Sequence, residues 1–165
     1  MNYLKKKLQA MLNNPAWNGV LYDAGNEYSA ITGGFRQSTI LTTLGTGSTK
    51  KNASNLYCYS YGQNGGSYGF ITNNLIDLTN YTSLYATYSL TSSGQYARVT
   101  FGTNETAVAS KRVGTPTYYE TDVSGTNVTQ SIDISALTST YVFVNADTAT
   151  TSITSAVTVY KVWLE

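Results

Sequence analysis

The sequence contains no histidine. That absence removes the commonest general base and the commonest metal ligand, and it excludes Ser-His-Asp and Cys-His nucleophilic arrangements. Cysteine occurs once, so no zinc site of ordinary type can be assembled, and no cofactor is expected. Cys58 has no partner for an intrachain disulfide; between Tyr57 and Tyr59 it reads as a small buried hydrophobe. Charge is also scarce. Charged residues are 12% of the chain and the net charge is +1, against about 25% charged in an average domain. The ten bases are scattered apart from Lys5-Lys6-Lys7, Lys50-Lys51 and Lys111-Arg112, which argues against nucleic acid as a partner. No apolar run is long enough for a membrane helix. Lys5–Lys7 precede only Leu8-Gln9-Ala10-Met11-Leu12, and no secretory leader is read there.

Two prolines interrupt the chain, and Thr, Ser, Asn, Gly and Tyr fill the place of charge. Thr and Tyr suit a pleated, half-buried surface; Gly, Asn and Ser supply turns. Fifteen Tyr, four Phe and two Trp exclude a disordered chain, which is poor in aromatics. The length of 165 residues fits one domain.

Residues 1–14 form the expected N-terminal helix, with Asn2 as its cap and Leu4, Leu8, Met11 and Leu12 on one face. Asn13-Asn14-Pro15 ends it. An apolar stripe on so short a helix needs a partner. Leu4, Leu8, Met11 and Leu12 are therefore read as an oligomer or partner interface. Three lysines without Trp or Phe on the apolar side do not suggest a membrane surface.

Residues 15–165 read as a β-sandwich. Expected strands are Trp17–Asp23, Glu27–Thr32, Thr39–Thr43, Leu56–Tyr61, Tyr68–Thr72, Leu84–Leu90, Gln95–Phe101, Val128–Ile134, Tyr141–Ala146 and Ile153–Leu164, with Gly45 to Asn55 as a polar loop. Gly62 to Gly66 and Thr91 to Gly94 read as hairpin loops. Alternation turns Leu84, Ala86, Tyr88 and Leu90 inward, and likewise Ala97, Val99 and Phe101. In the last strand, Val157, Val159 and Trp163 oppose Tyr160, Val162 and Leu164, which predicts a strand covered on both faces. Many short strands without βαβ alternation give an all-β, two-sheet antiparallel sandwich, jelly-roll-like, with a short N-terminal α-helix.

Catalysis would need a carboxylate pair. The nine acids include Asp23 and Glu27 around the Gly25-Asn26 turn, Glu120 and Asp122 two apart, and Asp77 at a strand end. None carries a recognisable catalytic motif, so a non-enzymatic protein is expected. Tyrosine is the more informative residue. Tyr57, Tyr59 and Tyr61 share a strand face, with Tyr68 across the loop. Their rings pair flat apolar faces with polar tips, which suits sugar binding. Packing is the favoured alternative, because Leu56, Cys58 and Ser60 offer little bulk as the sole core side. Tyr118 and Tyr119, beside the Pro116 turn, form a second pair that a loop can present outward.

Val20-Leu21-Tyr22-Asp23-Ala24-Gly25-Asn26-Glu27-Tyr28, Ile31-Thr32-Gly33-Gly34-Phe35, Ile76-Asp77-Leu78-Thr79-Asn80-Tyr81-Thr82-Ser83-Leu84, Ile132-Asp133-Ile134-Ser135 and the ending Val157–Leu164 resemble small β-sandwich domains of tailed-phage virion proteins. The resemblance covers most of residues 18–164 and its motifs are structural. It implies a virion structural or decoration protein of a tail, baseplate, fibre or capsid, assembled in the host cytoplasm. Its partners would be other virion proteins and host-surface glycans. Threefold symmetry, common in projecting phage appendages, makes a trimer the preferred oligomer. The alternative expectation is a carbohydrate-binding module of a secreted or cell-surface bacterial protein, located outside the cell.

Overall fold

The computed structural model describes residues 18–40, 45–62 and 66–165. The expected N-terminal helix, with Leu4, Leu8, Met11 and Leu12, lies outside the described residues. The described residues form thirteen strands and one helical turn in the order β1 (Val20–Asp23), β2 (Asn26–Glu27), α1 (Ser29–Thr32), β3 (Phe35–Ile40), β4 (Gly45–Lys51), β5 (Leu56–Gly62), β6 (Gly66–Thr72), β7 (Ile76–Asp77), β8 (Ser83–Ser92), β9 (Ala97–Asn104), β10 (Thr117–Thr121), β11 (Gly125–Asp133), β12 (Ser139–Thr148) and β13 (Thr154–Leu164).

Every strand pairing is antiparallel, and the strands form two sheets. In sheet A, β11, β8 and β13 lie side by side. The far side of β13 pairs first with β5, which carries β4, and then with β1, which carries β2. Sheet B runs β10-β9-β12-β6-β3, with β7 on the start of β12. The core lies between the sheets. Sheet A contributes Leu84, Ala86, Tyr88 and Leu90 from β8, and Val157, Val159, Val162 and Leu164 from β13; sheet B contributes Phe70, Val99, Phe101, Val142 and Val144. The inward faces expected for β8 and β9 are the observed ones, because their alternation runs unbroken.

Four expectations need correction. Glu27–Thr32 is not a strand: Ile31 and Thr32 both donate their N–H groups to the Tyr28 carbonyl at 3.0 Å, and the turn closes on Gly33 at φ 66°. The glycine supplies the left-handed cap that ends such a turn. Gly45 to Lys51 is a strand, β4, rather than a loop. It escapes the alternation signal because an edge strand with glycines at Gly45 and Gly47 carries no apolar side chain. Gly47 is required there, since a Cβ would collide with the Tyr59 carbonyl and the Tyr68 ring.

The two loops expected to close hairpins instead carry the chain between sheets. β5 belongs to sheet A and β6 to sheet B; β8 belongs to A and β9 to B. Glycine-rich turns mark a reversal of direction, not whether the returning strand pairs beside its predecessor or packs across the core from it.

Finally, β13 is not apolar on both faces. Val159 pairs with Tyr88 and Lys161 with Thr87, leaving Tyr160 as an extra residue in a β-bulge. A bulge sets two residues against one and resets the alternation. Val157 and Val159 before it, and Val162 and Leu164 after it, all point into the core. Tyr160, Lys161 and Trp163 occupy the outer face. The bulge falls where the partner of β13 changes from β5 to β1.

Candidate functional site

A sandwich has two outer faces, and here the chain covers one of them itself. Residues 105–116 cross the outside of sheet B. The Asn104 side chain ties this strap down, its amide nitrogen lying 3.1, 2.9 and 2.8 Å from the carbonyls of Val108, Ser110 and Val113. The Asn145 amide donates to the Ala109 carbonyl at 2.7 Å. Ala109 packs on Ile71 and Phe143, which project outward from β6 and β12. Arg112 reaches Asp147 at 2.9 Å, and Lys111 bridges Asp147 and Glu120. Asp147 is fully buried. Its burial raises the carboxyl pKa above the ordinary value, while Arg112, Lys111 and a hydrogen bond from Ser67 pull the other way.

The outer face of sheet A is different. Its rows can be read from the strand register. Ser131, Tyr85, Trp163 and Val20 form one row, followed by Thr129, Thr87, Lys161 and Asp23. Further along, Ser89, Thr158, Tyr57 and Lys50 align, then Thr91, Ala156, Tyr59 and Ser48, then Thr154, Tyr61 and Thr46. Aromatic rings and short hydroxyl side chains dominate.

Tyr57, Tyr59 and Tyr61 stand on this face. Leu56, Cys58 and Ser60 point inward at no more than 1% exposure. The favoured packing reading of the three tyrosines is therefore wrong. Small inward residues suffice because β12 of sheet B comes close here with small residues of its own: the Cys58 thiol hydrogen-bonds the Ala146 backbone, and Ser60 Oγ lies 2.8 Å from Thr148 Oγ1. Burial also pushes the Cys58 thiol pKa up.

Tyr57 and Tyr59 are half-buried and Tyr61 is 42% exposed. Among the described residues none of the three makes a ring stack or a hydrogen bond, so their hydroxyls are free to meet solvent or ligand. Partial burial raises the Tyr57 pKa, with Tyr59 and Cys58 adding to it. Successive rings on one face of a strand are about 6.8 Å apart, and three span roughly 14 Å.

The rest of the aromatic group on this face is already engaged. Tyr85 and Trp163 stack at 5.0 Å with an interplanar angle of 12°. The Lys161 ammonium lies 5.2 Å from the Trp163 ring centre, and the indole N–H donates to Glu165 at 2.9 Å. Trp163 is clamped by these partners. The sequence pointed to β5 but missed this second group, because the bulge hides Tyr160 and Trp163 from a period-two reading.

The other sequence candidates fall elsewhere. Tyr68 is on sheet B, turned inward at 5% exposure, with its hydroxyl near the Gly45 carbonyl at 3.4 Å. Tyr118 and Tyr119 lie on strand β10 and so face opposite ways. Tyr118 is 40% exposed near Lys111; Tyr119 packs on Phe101 and hydrogen-bonds Tyr88. They do not form an outward pair. The carboxylates are dispersed as well: Glu120 is held by Arg98 and Lys111, and Asp122 accepts the Tyr96 N–H at 3.2 Å. Among the described residues no cluster of three or more His, Cys, Asp or Glu side chains could hold a metal, and no helix is long and apolar enough to cross a membrane.

Solved structures with the same fold include the family 11 carbohydrate-binding module from Clostridium thermocellum in complex with a β-1,3-1,4-mixed-linked tetrasaccharide. It matches at 13% identity over 88% of this chain and 94% of that one, with a TM-score of 0.54. The glycoside hydrolase domain structure of Endo-D from Streptococcus pneumoniae matches at 11% identity over 79% of this chain but 21% of that one, with a TM-score of 0.53. No family profile and no curated protein sequence matches the chain. These likenesses define a two-sheet antiparallel β-sandwich of the kind seen in carbohydrate-binding modules.

Proposed function

We propose that this chain is a non-catalytic carbohydrate-binding module whose ligand lies on the outer face of sheet A, over Tyr57, Tyr59 and Tyr61. One observation carries the reading: among the described residues, three rings with unengaged hydroxyls stand in line on a sheet face with little charge, between strands bearing Thr and Ser. Ring faces take apolar C–H surface, and the flanking hydroxyls take sugar hydroxyls. The fold shared with a sugar-complexed module supports the same reading. Glu120 and Asp147 are each held in ion pairs, and Asp147 is fully buried, which supports a binding role over hydrolysis.

The setting rests on the sequence resemblance. On a virion the same face would meet host-surface glycans; in a secreted protein it would hold the chain on a polysaccharide. Neighbouring genes for phage morphogenesis or for polysaccharide use separate these settings. Binding itself is tested by native electrophoresis through gels containing mixed-linked β-1,3-1,4-glucan, xylan, galactan or mannan, and by sedimentation with insoluble cellulose and chitin. Retention by at least one glycan, lost in Tyr59→Ala, is the expected result. Equal behaviour of both proteins on every glycan would end this reading.

A further inference from the structure

The three tyrosines stand on β5 between the rows of its two neighbours, β4 and β13. The row on β4 beside them is Thr46, Ser48 and Lys50; the row on β13 is Thr154, Ala156 and Thr158. Apart from Lys50 at one end, every flanking side chain is much shorter than a tyrosine. The rings therefore stand above these two rows, and among the described residues neither row raises a wall to close over a ligand.

Pockets for single molecules work by surrounding them, burying about 70–90% of the ligand surface. This face can touch a sugar chain from one side only. A soluble chain bound that way would leave most of its surface in water and would lose its internal freedom against little contact. A ligand already ordered avoids that entropy loss, which is the general advantage of preorganisation. A chain packed in a solid already has its other side covered by its neighbours, so one-sided contact leaves little of it to solvate.

Charge narrows the class further. Lys50 is the one charged side chain in the tyrosine row and its two flanks, and Lys161, further along, is matched by Asp23 at 3.6 Å. Uronate or sulfate groups along a polymer would find no row of cations. We infer, resting on the binding reading above, that the Tyr57–Tyr59–Tyr61 row is built for the flat face of an ordered, uncharged polysaccharide rather than for a single soluble chain.

The test compares microcrystalline cellulose and crystalline chitin with cellohexaose and chitohexaose, the soluble chains of the same chemistry. The protein should sediment with at least one solid, remain bound in 1 M NaCl, and not be eluted by the matching hexasaccharide. Tyr59→Ala should weaken partition to the solid roughly tenfold or more, as expected for a central aromatic anchor. Ala156→Arg leaves all three rings in place but raises a post beside Tyr59; it should also abolish retention on the solid. Melting curves of both variants confirm that they are folded. Elution by the hexasaccharide, or full retention of Ala156→Arg, would overturn the inference. So would binding of soluble glycans in the gel assay with no retention on either solid, a result that leaves the binding reading standing. No retention by any glycan, soluble or solid, would remove both.

Discussion

Tyr160 reaches across to Ser89 on the neighbouring strand, hydroxyl to hydroxyl at 3.2 Å, and it does so from the extra position of a β-bulge. Ser89 Oγ also accepts the Asn127 N–H at 3.1 Å, so one serine links β13, β8 and β11. The bulge lets a strand with apolar residues at Val157, Val159, Val162 and Leu164 turn all four inward while changing its pairing partner. It also delivers Tyr160, Lys161 and Trp163 to the same outer face as the β5 tyrosines.

This register makes neighbouring positions on β13 respond oppositely to the same charge. Val162 is fully buried and Lys161 is not. Val162→Asp places an unpaired carboxylate in the core and should prevent folding at 25 °C. Lys161→Asp loses an exposed ion pair, worth no more than about 1 kcal/mol, and should fold. Circular dichroism of the two proteins decides it. A folded Val162→Asp would mean that the bulge is misplaced.

A matching contrast holds on β5. Leu56→Ala should cost about 2–5 kcal/mol by emptying a core position. Tyr59→Ala removes a ring that packs on nothing across the core, and should cost less than about 1 kcal/mol. Urea denaturation of both variants measures the difference. If Tyr59→Ala proved the more damaging, β5 would be facing the other way.

How much of this was readable in the sequence follows from what alternation can and cannot encode. β8 and β9 were legible because Leu84 to Leu90 and Ala97 to Phe101 alternate without interruption. β13 was not, because the bulged Tyr160 shifts every later residue to the opposite face. The tyrosines of β5 were found as a group but assigned to the core, since tyrosine serves both faces of a sheet. The deciding fact, that Phe70 and Val144 of the opposite sheet fill the core, is a tertiary one. The inter-sheet crossings after β5 and β8 were missed for the same reason. The strap of residues 105–116 left no signal, because its ties are single side chains, Asn104 and Asn145, reaching scattered backbone carbonyls.

Asp147 gives the acid side of the stability profile an unusual sign. Its folded pKa is raised from the ordinary value of 3.8, chiefly by burial. The folded protein therefore holds this proton more tightly than the unfolded chain. Ionisation of Asp147 costs stability as pH rises from about 3.8 through the folded value, and protonation restores it as pH falls. An ordinary ion-paired carboxylate does the reverse. The melting temperature of the wild type minus that of Asp147→Asn should thus increase as pH is lowered through this window. A difference that stays flat, or that shrinks on acidification, would show that Arg112 and Lys111 outweigh desolvation.

The central claim is that sugar is bound by the outer face of β5 and not by the strap-covered face of sheet B. The most direct measurement is glycan retention of the triple variant Tyr57→Ala/Tyr59→Ala/Tyr61→Ala beside Tyr118→Ala, each confirmed as folded. The account predicts that the triple variant loses all retention and that Tyr118→Ala, altered on the other sheet, binds as the wild type does. Retention that survives the triple change but disappears with Tyr118→Ala would place the ligand on sheet B and contradict it.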